Sequence, residues 1–182
     1  MASGFSRTVL TGGVSGKPEH LKGFDYLGLH QYFLTFCTFE RKQWFVTDDA
    51  VSTARTQIER AAGEQSIALI AYCYMPDHVH FLAEGQSDDS DCLLFIARAK
   101  QFSGFHFKAR FNQRLWQRYG YEHTLRSDEA AISVARYILE NPVRAGLVAR
   151  VEDYPYAGSS VYTLEQILEA VQLPENWYRR SG

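Results

Sequence analysis

Residues 67–84 read IALIAYCYMPDHVHFLAE, two apolar, aromatic-rich runs separated only by Pro76 and Asp77. Proline presets the backbone of a turn and aspartate hydrogen-bonds its own main chain, so the dipeptide is turn chemistry. Two strand-like runs joined by so short a link can reach only each other, and only in antiparallel sense. The chain is thereby committed to a sheet built on this hairpin. The remaining segments must supply its neighbours and cover its faces.

Upstream, QYFLTFCTFE at 31–40 is rich in aromatic and β-branched residues and reads as a first strand. Asp48 and Asp49 open a helical stretch to about Gly63, in which Val51, Ala54, Ile58 and Ala61 recur every three or four residues. Downstream, Leu93–Phe111 reads as a long helix, Leu115–Leu125 as irregular or strand-like, and Asp128–Glu140 as another helix. Pro142 is expected to end that helix near Asn141. This order predicts an α+β fold, a ferredoxin-like sandwich whose helices pack on a mainly antiparallel central sheet. Residues 1–30, with Gly12, Gly13, Gly16, Gly23 and Gly28 and little periodicity, read as an extended or partly disordered leader. The domain proper is expected over 31–162, followed by a C-terminal helical tail over 163–182.

No apolar run approaches the 18 residues needed to span a bilayer, and the first residues lack a secretory pattern, so a cytoplasmic protein is expected. Cys37, Cys73 and Cys92 are odd in number and lack C-x-x-C spacing, which reads as reduced structural cysteines. The net charge of −2 argues against coating a polyanion through bulk electrostatics. Its distribution is uneven, however. Residues 98–150 carry ten Lys and Arg against four Asp and Glu, while both flanking segments are net acidic. The middle of the chain is the candidate polyanion-binding surface.

Side chains at i and i+2 of a strand share a face, so His78 and His80 project together at the start of the second hairpin strand. Two imidazoles so placed can clamp a metal, or form an ordinary hydrogen-bonded pair. Nothing elsewhere completes a zinc-type spacing. On the helix from Asp128, Tyr137 and Asn141 are four residues apart and share a face. An amide oxygen one turn from a phenol could join a metal site. The plainer alternative packs Tyr137 in the core beside Val134 and leaves Asn141 as a helix cap.

Four segments, YFLTFCTFERK (32–42), YMPDHVHFL (74–82), LWQRYGYEHTLR (115–126) and YILENPVRAGLV (137–148), occur in an order and spacing that resemble the REP-associated tyrosine transposases. These belong to the single-tyrosine HUH transposases of bacterial insertion sequences. The resemblance runs from about Tyr32 to Tyr162 and implies the HUH endonuclease fold, with His78 and His80 as the histidine pair, Tyr137 as nucleophile and Asn141 as the amide ligand. It implies a divalent cofactor, Mg²⁺ or Mn²⁺, and cleavage and strand transfer on single-stranded DNA through a 5′-phosphotyrosine. Hairpin DNA would be the partner, the protein a monomer or homodimer associated with the nucleoid. Candidates for holding the strand are Lys100, Gln101, Lys108, Arg114, Gln117, Arg118, His123 and Arg126, with Trp116 either a stacking platform or packed against the long helix. The competing readings are a non-catalytic hairpin-specific DNA-binding module derived from a transposase, and a metal enzyme for small molecules.

Overall fold

The computed structural model describes residues 26–125 and 128–171 of the 182-residue chain. The expected leader, apart from 26–30, and the end of the expected tail, 172–182, lie outside the described residues. The elements run β1 (Gln31–Cys37), α1 (Asp48–Glu64), β2 (Ile67–Met75), β3 (His78–Gly85), α2 (Cys92–Phe111), β4 (Tyr121–Thr124), α3 (Asp128–Arg144), β5 (Ala157–Gly158) and α4 (Leu164–Ala170). The strand order is β4-β1-β3-β2-β5, with every pairing antiparallel. The first four strands with α1 and α2 form the expected ferredoxin-like core, and the two-residue β5 extends the β2 edge.

Local chemistry sets the helix limits. Thr47 caps α1 by accepting from Ala50 N, ahead of Asp48 and Asp49 in the first turn, where carboxylates favour the helix dipole. Asp91 caps α2 by accepting from Leu94 N at 2.8 Å, and Asn112 ends it in the left-handed region. Small residues at the contact, Ala54, Ala61 and Ala99, let α1 and α2 lie side by side on one face of the sheet. There they enclose an aromatic core of Phe36, Phe45, Tyr74, Phe81, Phe95 and Phe107.

On the opposite face, Ala71, Cys73, Met75 and Leu82 pack against Ala131, Ala135, Ile138 and Leu139 of α3. Both faces of β2 and β3 are therefore buried, which is why their sequences run continuously apolar rather than alternating. Cys37, Cys73 and Cys92 form no disulfide, as expected, and burial pushes the Cys73 thiol up. Among the described residues no helix is long and apolar enough to cross a membrane.

Pro142 does not end α3, contrary to expectation. The helix continues to Arg144, and Ala145 N still bonds Asn141 O at 2.9 Å. An internal proline costs about 3 kcal/mol through its missing N–H and a ring clash. Burial offsets that here, because Pro142 itself is buried with Ile138 and Leu139. Side-chain donors from Asn141 and Arg144 both bond Tyr137 O at 3.0 Å, one carbonyl before the Ile138 O that Pro142 leaves without its helical donor. Gly146, at φ +71°, closes the end where an L side chain would be strained.

Candidate active site

Cross-strand register puts the histidines on the α3 side of the sheet. His78 begins β3 opposite Cys37 and Met75, and His80 lies opposite Thr35 and Cys73. Their Nε2 atoms stand 3.1 Å apart. The outer nitrogens are each tied down: His78 Nδ1 donates to Asp77 Oδ1 at 2.6 Å, and His80 Nδ1 lies 2.8 Å from the Thr35 hydroxyl. Asp77 is braced in turn by Arg41, whose Nε is 2.8 Å from its Oδ2. Glu40 and Arg41 hold positive φ, a sharp reversal after β1 that carries Arg41 back to the hairpin turn.

These contacts bear on whether a metal fits. In the neutral form of His78 the Asp77 carboxylate holds the proton on Nδ1 and leaves a lone pair on Nε2. Thr35 can donate to or accept from His80, so His80 can hold either tautomer. With its proton on Nδ1, both Nε2 atoms would carry lone pairs 3.1 Å apart, a separation that two nitrogens sharing one ion can adopt. Mn²⁺, though itself a hard ion, accepts imidazole nitrogen more readily than Mg²⁺ does, so two such nitrogens favour it of the two. Among the described residues no group of three His, Cys, Asp or Glu assembles, so the pair needs a ligand of another type. Asn141 is the candidate: its Nδ2 donates to Tyr137 O, and among the described residues its Oδ1 accepts no hydrogen bond. Among the described residues no hydrogen bond joins it to either histidine.

Electrostatics keep His80 neutral. Burial first, then the charges of His78, Arg144 and Arg41, bring its pKa down to about 3. Burial alone would raise the Asp77 carboxyl, but the hydrogen bond and charge of His78, with Arg41, outweigh it and bring it below its usual value. The sign for stability follows. Between pH 6.5 and about 3 the unfolded chain takes a proton that folded His80 refuses, so acidification across this window destabilises the fold. In the presence of a chelator, urea melts are expected to lose a few kcal/mol between pH 7 and pH 4.5, at up to about 1.4 kcal/mol for each pH unit crossed within the window. His80→Gln should flatten most of that slope. Asp77 contributes only in more acid solution, below its ordinary 3.8. A slope unchanged by the substitution would contradict the buried neutral imidazole.

Tyr137 is not a core residue. It is 42% exposed, its ring standing edge-on to Phe33 and to His80 at 5.8 Å each. Among the described residues its hydroxyl makes no hydrogen bond. The Arg144 guanidinium lies over the same ring, 4.3 Å from its centroid. Thr35, Asp77, Arg41, Phe33 and Arg144 are not singled out by the sequence. Only Asp77, adjacent to His78, and Arg144, two turns beyond Tyr137, carry a local signal. Gly120 is a further case: a Cβ there would sit 2.8 Å from the Thr35 carbonyl oxygen, so only glycine allows the approach to β4 beside the residue that holds His80.

Six of the proposed strand-holding residues, Lys100, Gln101, Lys108, Arg114, Gln117 and Arg118, line one groove of about 540 Å³ between the second half of α2 and segment 112–118. The groove is on the α2 side of the sheet, yet Gln117 N bonds Cys37 O at 3.0 Å, so its wall joins β1 at the strand position opposite His78. Lys100 and Arg114 are fasteners as well as cations. The Lys100 ammonium donates to Gln117 O at 3.1 Å, and burial lowers its pKa to about 8. Arg114 donates to Trp116 O and stacks on Phe39. Lys108 and Arg118 are exposed. Arg126 and the side chain of His123 lie outside the described residues. Trp116 is no stacking platform: it is 5% exposed, packs on Phe36 and Phe45, and donates to Ser103 Oγ at 2.8 Å.

Residues 27–141, from the bridge before β1 to Asn141, match the family described as Transposase IS200 like. A protein of Haemophilus influenzae assigned as a REP-associated tyrosine transposase is 28% identical over 158 residues, which span 80% of this chain and 86% of that protein. The solved structure of a REP-associated tyrosine transposase bound to a REP hairpin superposes with a TM-score of 0.67 at 21% identity, covering 87% of this chain and 91% of that one. That likeness is one of fold.

Proposed function

Because the chain belongs to the IS200-like transposase family, we propose that it is a metal-dependent single-stranded DNA endonuclease and strand transferase, acting beside REP-type hairpins through a 5′-phosphotyrosine on Tyr137. The observation that carries this reading is the approach of the exposed Tyr137 ring to His80, whose Nε2 stands 3.1 Å from that of His78. The assignment of the H. influenzae relative and the hairpin held by the solved relative support the choice of substrate. Chromosomal DNA in the cytoplasm is where such a substrate would be met.

His78 and His80 would hold a divalent ion, with Asn141 Oδ1 as a further ligand. Such an ion supplies polarisation of a non-bridging phosphate oxygen and offsets charge that develops there. The protein's own part is positional and nucleophilic. Tyr137 Oη attacks phosphorus and loses its proton; the new bond is phosphorus to Oη, the bond broken is phosphorus to the 3′ oxygen, and that oxygen leaves as a 3′-OH after taking up a proton. The linkage conserves one phosphodiester, so a second 3′-OH can reverse the step and join strands without an added energy source. A single strand suits this geometry, since its backbone can bend to bring one phosphate to Tyr137 and the histidine pair together, which a stacked duplex resists.

Incubating the protein with labelled hairpin-flank single-stranded DNA and Mn²⁺, followed by denaturing electrophoresis, tests the reaction class. A protease-sensitive adduct mapping to Tyr137 is expected. Hairpin binding without any adduct would favour the non-catalytic module instead.

The α2 groove would carry the strand's backbone to the site. Lys108→Ala with Arg118→Ala, both exposed cations, is expected to weaken hairpin-flank binding and to lower the log-log salt slope by roughly 0.7 for each phosphate that is no longer neutralised. Fluorescence anisotropy across a salt series measures it, and an unchanged slope would move the DNA path elsewhere.

A further inference from the structure

Tyr137 reaches the histidines from a single helix, and among the described residues no hydrogen bond to its hydroxyl fixes the ring. What lies on the ring is Arg144. Seven residues on, it occupies the same helical face two turns later, and its side chain leans back toward the helix N-terminus as helical side chains do. The guanidinium carbon stands 4.3 Å from the ring centroid, Nη2 donates to Tyr137 O at 3.0 Å, and Nη1 pairs with Glu140 Oε2 at 3.2 Å. Glu140 is well covered, with a side chain only 14% exposed, so it is a firm post for the arginine. Phe33 and His80 bound the ring edge-on. Arg144 can make these contacts only because α3 continues through Pro142; a helix ending at Asn141 would not carry it back over the tyrosine.

We propose that Arg144 is the positioning residue of the nucleophile, clamping the Tyr137 ring against Phe33 and His80 so that the hydroxyl is presented to the scissile phosphate. This rests on the transferase reading above and adds to it the residue that sets the orientation of the phenol. A planar guanidinium stacks on an aromatic face and donates along its edge at once, which an ammonium cannot do. Misplacing a reacting group by about 1 Å costs on the order of a hundredfold in rate, so loosening the ring should appear in turnover rather than in DNA affinity.

The test compares wild type, Arg144→Met and Arg144→Lys in single-turnover adduct formation at saturating hairpin-flank DNA with Mn²⁺. Alongside it, ¹³C-tyrosine spectra of the DNA-free proteins report the Tyr137 ring, assigned through Tyr137→Phe. Arg144→Met is expected to slow adduct formation by roughly 10- to 100-fold, with half-saturation by DNA and Tm nearly unchanged, and to move the ring signal toward that of an exposed tyrosine. Arg144→Lys, keeping charge but not the stack, should fall between. A purely structural role would instead lower Tm and DNA affinity together, and that pattern overturns the clamp. So does an unchanged rate in Arg144→Met or, should that variant not fold, in Arg144→Lys. If the wild type forms no adduct, the transferase reading fails, while the ring signals still decide whether Arg144 orders Tyr137.

Discussion

Tyr137→Phe is expected to remove covalent DNA adduct and strand transfer entirely, a loss of at least about a thousandfold, while leaving fold, metal binding and hairpin affinity intact. Phenylalanine keeps the ring that meets Phe33, His80 and Arg144, so every contact that orders the side chain survives. Only the hydroxyl is removed, and among the described residues it supports no hydrogen bond. A residue present for packing would tolerate the change. Tyr154 and Tyr156 cannot substitute. The Tyr154 hydroxyl is spent on Tyr74 O at 2.6 Å and that of Tyr156 on Asp48 at 2.9 Å. Burial further raises the Tyr154 phenol above its ordinary value. Denaturing gels and peptide mapping decide the matter, and an adduct formed at wild-type yield by the variant would overturn the assignment of the nucleophile.

Removing the histidine clamp should cost nearly as much. His78→Ala and His80→Ala are each expected to lower cleavage by roughly a hundredfold or more, with hairpin binding within a few-fold of wild type, because the cations proposed to hold the strand line the α2 groove and not the histidine pair. Excess Mn²⁺ should not restore either variant, since a ligand atom is gone. Asp77→Asn makes the sharper comparison. It keeps both Nε2 donors but weakens the acceptor that orients His78, so metal affinity should drop by about 10- to 100-fold and activity should return as Mn²⁺ is raised. Metal titrations of cleavage and of calorimetric binding read these outcomes together. Full activity of either alanine variant in dilute Mn²⁺ would exclude the pair as ligands, and an Asp77→Asn defect that metal cannot repair would give Asp77 a different role.

The strands and helices are legible in the sequence because their signals are local. The Pro76-Asp77 turn with its apolar flanks sets the hairpin, and the three- to four-residue recurrence of Val51, Ala54, Ile58 and Ala61 sets α1. Pro142 misleads because a proline's cost is local while its compensation is not: Ile138 and Leu139 anchor the helix by packing on a sheet far away in sequence. Trp116 is ambiguous for the same reason. An aromatic after a long helix can face solvent or core, and only the position of Ser103 and Phe36 decides it.

The division is the same within the site. That His78 and His80 share a face, and that Tyr137 and Asn141 stand one turn apart, follows from the periods of strand and helix, which the sequence alone determines. That α3 lies over the histidine face, that Thr35 and Asp77 fix the two imidazoles, that His80 is neutral and that Arg144 covers Tyr137 were decided by the tertiary structure. Strand register, the layer a helix chooses and the burial that shifts a pKa all depend on groups tens of residues apart. Thr35 and His80 are 45 positions from each other, and no local pattern encodes their meeting.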